Sequence, residues 1–157
     1  MQKLVYATLA AVALSATPAF ALDVTKTIDV AAAPATVWKT VGGFCGIGDW
    51  HPAVEKCALS EKDGKPTRTL SLKGGGTIIE QQQSRDDSKM TYTYAILESP
   101  LPIEGYTSTI TVAPKASGSE ITWTGNFQAK GAPDAKAEAI IGGIYDAGLK
   151  GIADKAK

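Results

Sequence analysis

The chain has 157 residues, and its 16 lysines and arginines balance 16 aspartates and glutamates, giving a formal net charge of zero at neutral pH. Such a balance offers no global field for nucleic acid or anionic lipid, so a nucleic-acid-binding function is excluded as a leading reading. One histidine and two cysteines are too few ligands for the usual metal sites, and neither a metal nor a cofactor is expected.

Lys3, the apolar run Leu4 to Leu14 and the small-x-small site Ala19-Phe20-Ala21 have the order of a secretory signal. Residues 1–21 are therefore expected to be cleaved, leaving residues 22–157 as one domain in the periplasm. The apolar run is too short to span a bilayer well, so no membrane anchor is expected after cleavage.

Leu22 to Val30 places Val24, Ile28 and Val30 on one side and predicts a first strand. Pro34 then opens a short helix, which stops near Gly42-Gly43, and a second helical turn over Gly46 to Trp50 ends before Pro52. Cys45 and Cys57 bracket the Trp50-His51-Pro52 knot. In an oxidising compartment a structural disulfide between them is the default, contributing about 3 kcal/mol by restricting the unfolded chain. A redox pair would favour CxxC spacing.

From Ala53 the pattern turns to strands: Val54 to Ser60, Thr67 to Lys73, Thr77 to Arg85, Lys89 to Leu97, Tyr106 to Ala113 and Glu120 to Gln128. Turns at Lys62-Asp63-Gly64, Gly74-Gly75-Gly76 and Asp86-Asp87-Ser88 make this a meander. The triple glycine leads into a strand with no GKS or GKT, so it reads as a hairpin and not a phosphate loop.

Opposite residues of an antiparallel pair share a face. Folding about Gly75 sets Leu70 opposite Glu80, with Arg68 diagonal to it, and folding about Asp87 sets Glu80 opposite Tyr94 and Gln82 opposite Tyr92. One face then carries Arg68, Leu70, Leu72, Ile78, Glu80, Gln82, Met90, Tyr92, Tyr94 and Ile96. It continues through Tyr106, Ser108, Ile110, Val112, Ile121, Trp123 and Phe127, while the other face is mostly Thr, Ser, Gln and Lys.

Asp134 to Lys155 repeats Ala137, Ile140, Ile141, Ile144, Tyr145, Leu149 and Ile152 at helical spacing after Pro133-Asp134. Gly142, Gly143, Gly148 and Gly151 weaken that helix by about 1 kcal/mol each against alanine, which points to close packing with some space beneath.

The stretches AAAPATVWKTVGGF, DWHPAV, RTLSLKGGGTIIEQ, MTYTYAI, PLPIEGYTSTITV, ITWTGNF and IYDAGLKGI together resemble the START-like (SRPBCC) superfamily. Nearly all of residues 22–157 take part. The chain is most similar to its polyketide cyclase/dehydrase-like branch, and there to secreted members that accompany methanol oxidation in the periplasm. The resemblance implies an α+β helix-grip fold, in which a curved antiparallel sheet of about seven strands wraps a long C-terminal helix, with two short helices after the first strand. It also implies a cavity between sheet and helix for a small hydrophobic or aromatic molecule.

On the inward face, Arg68 and Glu80 are expected to pair, with Tyr94 donating to the same carboxylate. The pair serves either as structure or to orient a ligand. The binding residues expected are Trp50, Arg68, Leu70, Glu80, Tyr92 and Tyr94, with Tyr106 at the rim and Ile110, Trp123 and Ile144 as apolar wall. His51 and Glu80 are the acid-base candidates; for His51 the alternative is capping a helix end or bonding a loop carbonyl. Three readings follow: periplasmic binding of a small hydrophobic molecule, a metal-free cyclase or dehydratase, and an accessory role beside a periplasmic dehydrogenase.

Overall fold

The computed structural model describes residues 21–157. The expected signal segment, apart from its last residue, lies outside the described residues. In chain order the elements are strand β1 (Leu22–Val30), helix α1 (Pro34–Val41) and helix α2 (Ile47–Trp50). Strands β2 (Val54–Lys62), β3 (Lys65–Leu72), β4 (Thr77–Asp86), β5 (Thr91–Glu98), β6 (Ile103–Lys115) and β7 (Gly118–Ala129) follow. The long helix α3 (Asp134–Lys155) comes last.

All seven strands form one sheet in the order β1-β7-β6-β5-β4-β3-β2, antiparallel throughout. β2 to β7 are the expected meander, and the chain crosses from β1 through α1 and α2 to the far edge. Pro34 starts α1 where no amide donor is needed, and Val37 and Val41, one turn apart, are completely buried.

The inward face matches the expected set, but the register differs in two hairpins. In β3–β4, Leu70 pairs with Ile78 and Arg68 lies directly opposite Glu80 rather than diagonal to it. The turn there centres on Gly74, with the Gly75 amide donating to the Leu72 carbonyl. In β4–β5, Glu80 pairs with Ile96 and Gln82 with Tyr94, so Glu80 does not face Tyr94. That turn extends to Met90 because the Asp86 carboxylate accepts from the amides of Ser88 and Lys89, and Met90 takes a left-handed φ of 51°.

A bulge between Gln82 and Ser84 then reverses the alternation, pairing Arg85 with Tyr92. Arg85 thereby shares the inward face, where it stacks 5.1 Å over Trp38 and donates to the Gly42 carbonyl. On the outer face threonines pair across strands, with hydroxyl contacts Thr25–Thr124 (3.1 Å), Thr91–Thr111 (2.8 Å) and Thr93–Thr109 (2.7 Å).

α3 buries Ala137, Ile141, Tyr145, Leu149 and Ile152 against the inward face. Two of its glycines are there for close approach. A Cβ on Gly148 would meet Trp123 at 2.5 Å, and one on Gly151 would meet the Trp50 carbonyl oxygen at 1.8 Å. Gly143 lies on the exposed side of α3, where a Cβ would meet nothing within 4 Å, so it does not provide the expected space beneath the helix.

Candidate functional site

The segment between α1 and β2 forms a lid. A disulfide joins Cys45 to Cys57 with Cα atoms 5.5 Å apart, tying the turn before α2 to β2. Trp50 stacks edge-on against Trp123 at 5.7 Å. His51 is buried, and its two ring nitrogens reach in different directions: Nδ1 accepts from the Ala53 amide (3.2 Å) and Nε2 donates to the Ile144 carbonyl of α3 (3.0 Å). That arrangement fixes the neutral Nε2–H tautomer. Burial pulls the imidazole pKa down, against the Ile144 bond, and the positive charge of Arg68 lowers it further.

Beneath the lid is a cavity of about 100 Å³. Its wall is mainly aliphatic, with Leu70, Leu72 and Ile78 from the β3–β4 hairpin, Ile96 from β5, and Ile141 and Ile144 from α3. Ile47, Ala53, Val54 and Leu101 complete the apolar lining, and Trp123 supplies an aromatic surface. Only His51, Glu80, Tyr94 and Tyr106 bring polar side-chain atoms other than the Trp123 indole to it.

Glu80 is held from behind. Arg68 Nε donates to Glu80 Oε2 at 2.6 Å, and Nη1 donates to the Phe44 carbonyl at 2.5 Å. The guanidinium lies between the Phe44 ring (4.3 Å) and the Tyr94 ring (4.9 Å) and has no solvent exposure. Burial alone would lower its pKa, but Glu80 more than offsets this and Arg68 stays firmly cationic. Among the described residues no donor reaches Glu80 Oε1.

A second network occupies the opposite half of the sheet. Ser108 donates to the Thr124 carbonyl (2.7 Å), which fixes every proton behind it. Tyr145 must then donate to Ser108 (3.0 Å), Tyr106 to Tyr145 (2.5 Å) and Tyr94 to Tyr106 (3.4 Å). Trp123 Nε1 donates to both Ser108 (2.9 Å) and Tyr94 (3.1 Å). Burial raises the pKa of all three phenols, Tyr145 to about 12, so each keeps its proton at neutral pH.

The expected binding residues divide cleanly. Leu70, Glu80, Tyr94, Tyr106, Trp123 and Ile144 line the cavity together with His51, and Tyr106 is a buried wall residue rather than a rim residue. Trp50, Arg68, Tyr92 and Ile110 stand outside the lining: Trp50 supports the lid, Arg68 braces Glu80, and Tyr92 packs 5.9 Å from Phe44. The expected Tyr94–Glu80 hydrogen bond is not formed, because Tyr94 faces Gln82 across the ladder and turns its hydroxyl to Tyr106. Tyr145 was missed. Its signal is Gly125 in the middle of β7, since a strand-interior glycine marks a close approach.

The family described as polyketide cyclase / dehydrase and lipid transport matches residues 21–157. The chain belongs to this family. A Bacillus thuringiensis protein of uncharacterised function shares the fold with a TM-score of 0.80 and 32% identity over 85% of this chain and 97% of its own. The protein XoxI of Bacillus cereus is similar at 33% identity and a TM-score of 0.80, over 84% of this chain and 93% of its own. The Zhui aromatase/cyclase of Streptomyces sp. R1128, at 19% identity over 87% of this chain and 94% of its own, shares the fold with a TM-score of 0.74. No curated protein matches the sequence.

Proposed function

We propose that this member of the family binds a small apolar or aromatic molecule between its sheet and α3. The observation that carries this reading is the cavity itself: a mainly apolar wall interrupted by one braced carboxylate, one imidazole and two phenols. Ligand sites have this composition, with a few placed polar groups fixing orientation on a hydrophobic surface. Binding is favoured over acid-base catalysis because both His51 nitrogens are engaged in holding the lid and one Glu80 oxygen in holding Arg68. The Cys45–Cys57 disulfide supports an oxidising compartment such as the periplasm as the working location.

Native mass spectrometry of protein purified from its own periplasm tests the reading, together with thermal shifts against a library of small apolar molecules. A co-purifying molecule or a saturable shift is the expected result. A ligand-free mass and no shift from any member of the library would remove it.

A further inference from the structure

The wall of the cavity is one-sided in its hydrogen bonding. The Tyr94 and Tyr106 protons are directed along the chain that ends at the Thr124 carbonyl, so toward the cavity these phenols have only oxygen lone pairs to offer. The His51 proton is bound to the Ile144 carbonyl, and the Trp123 proton lies between Ser108 and Tyr94. Glu80 Oε1 can only accept. Every polar group among the lining residues thus offers an acceptor to the cavity, and the two buried donors left without a partner, Trp50 Nε1 and Arg68 Nη2, belong to side chains outside the lining.

From this we infer that the ligand is a single-ring or similarly small neutral alcohol or phenol that donates its hydroxyl proton to Glu80. The inference rests on the small-molecule reading above and narrows it. A neutral hydroxyl suits the site because Arg68 already balances the charge of Glu80; an anion would face the carboxylate without a donor. A ketone or aldehyde of the same size would have its oxygen among acceptors, with no partner and the loss of its water. The volume sets an upper limit of one ring: an apolar cavity of about 150 Å³ holds benzene, and this one, at about 100 Å³, has room for nothing larger without adjustment of its wall. A long polyketone chain does not fit within it.

Isothermal titration of the mature protein with matched pairs tests this. Cyclohexanol and cyclohexanone have the same size and differ in the donor, as do phenol and fluorobenzene. Cyclohexanol is expected to bind at least about tenfold more tightly than cyclohexanone, and phenol likewise than fluorobenzene, the margin a hydrogen bond to a charged acceptor provides. Glu80→Gln is expected to erase that margin, and the wild-type pairs decide the matter even if this variant fails to fold.

Equal or tighter binding of the ketone would overturn the acceptor-only wall while leaving small-molecule binding intact. Binding of 2-naphthol or longer molecules with no binding of the single rings would overturn the size limit. No binding by any of these, with a library that also fails, would take the broader reading down with it.

Discussion

Gly125 of β7 lies directly under the Tyr145 hydroxyl of α3, so near that a Cβ on the strand would stand 2.1 Å from that oxygen. The contact sets the height of α3 above the sheet at the tyrosine network, because Tyr145 is at once a packed ring and a relay between Tyr106 and Ser108.

Gly125→Ala is therefore expected to push Tyr145 aside and cost about 1–3 kcal/mol, the usual range for overpacking a filled core. Urea unfolding of the variant measures the loss. An unchanged midpoint would mean that Tyr145 can give way freely.

Arg68 and Glu80 should behave as one unit. Arg68→Met strands a buried carboxylate and is expected to cost about 3–5 kcal/mol, whereas Arg68→Met with Glu80→Leu should recover most of that loss. A double-mutant cycle by denaturant unfolding reads the coupling directly, and additive losses would show that the two side chains act independently.

His51 makes stability depend on pH in a defined direction. Its folded pKa lies below the ordinary 6.5, so the unfolded chain takes up the proton first. Its contribution is fully present above about pH 6.5 and is lost as pH falls toward the folded value. The urea midpoint should drop between pH 7.5 and pH 5, and His51→Gln should flatten this part of the profile. A wild-type midpoint that is level or rises on acidification contradicts the neutral, doubly engaged ring.

Reducing Cys45–Cys57 releases the lid from β2. Cys45→Ala with Cys57→Ala is expected to lower stability by about 3 kcal/mol, and limited proteolysis should then cut first between Gly43 and Val54. Equal stability and an uncut lid would show that the Trp50 and His51 contacts suffice alone.

Much of this was legible in the sequence because strand alternation is insensitive to small slips. Moving a hairpin by two residues leaves every side chain on its face, so the inward set was readable although Glu80 and Tyr94 were paired wrongly. The slip itself came from turn details, an Asp86 carboxylate gathering two amides and a left-handed Met90, which alternation does not encode. The bulge that turns Arg85 inward was hidden for the same reason. Tyr145 read as an ordinary apolar-face position, since helical periodicity records burial and says nothing of where a hydroxyl points. That Arg68 stands behind the wall and not in it follows from its length: a β3 guanidinium reaches past the cavity to the Phe44 carbonyl.

The glycines of α3 decide which parts of this protein can diverge. Where the backbone at Gly151 rests on the Trp50 carbonyl and Gly148 on the Trp123 and His51 rings, there is no side chain to shorten or lengthen, so lid and helix are locked in position. Changes in the volume available beneath them come instead from the aliphatic side chains that line it, on the strands at Leu70, Ile78 and Ile96 and on α3 at Ile141 and Ile144. Relatives that keep both glycines should therefore share one roof over chambers of different size, with ligand preference written in the aliphatic residues that line them.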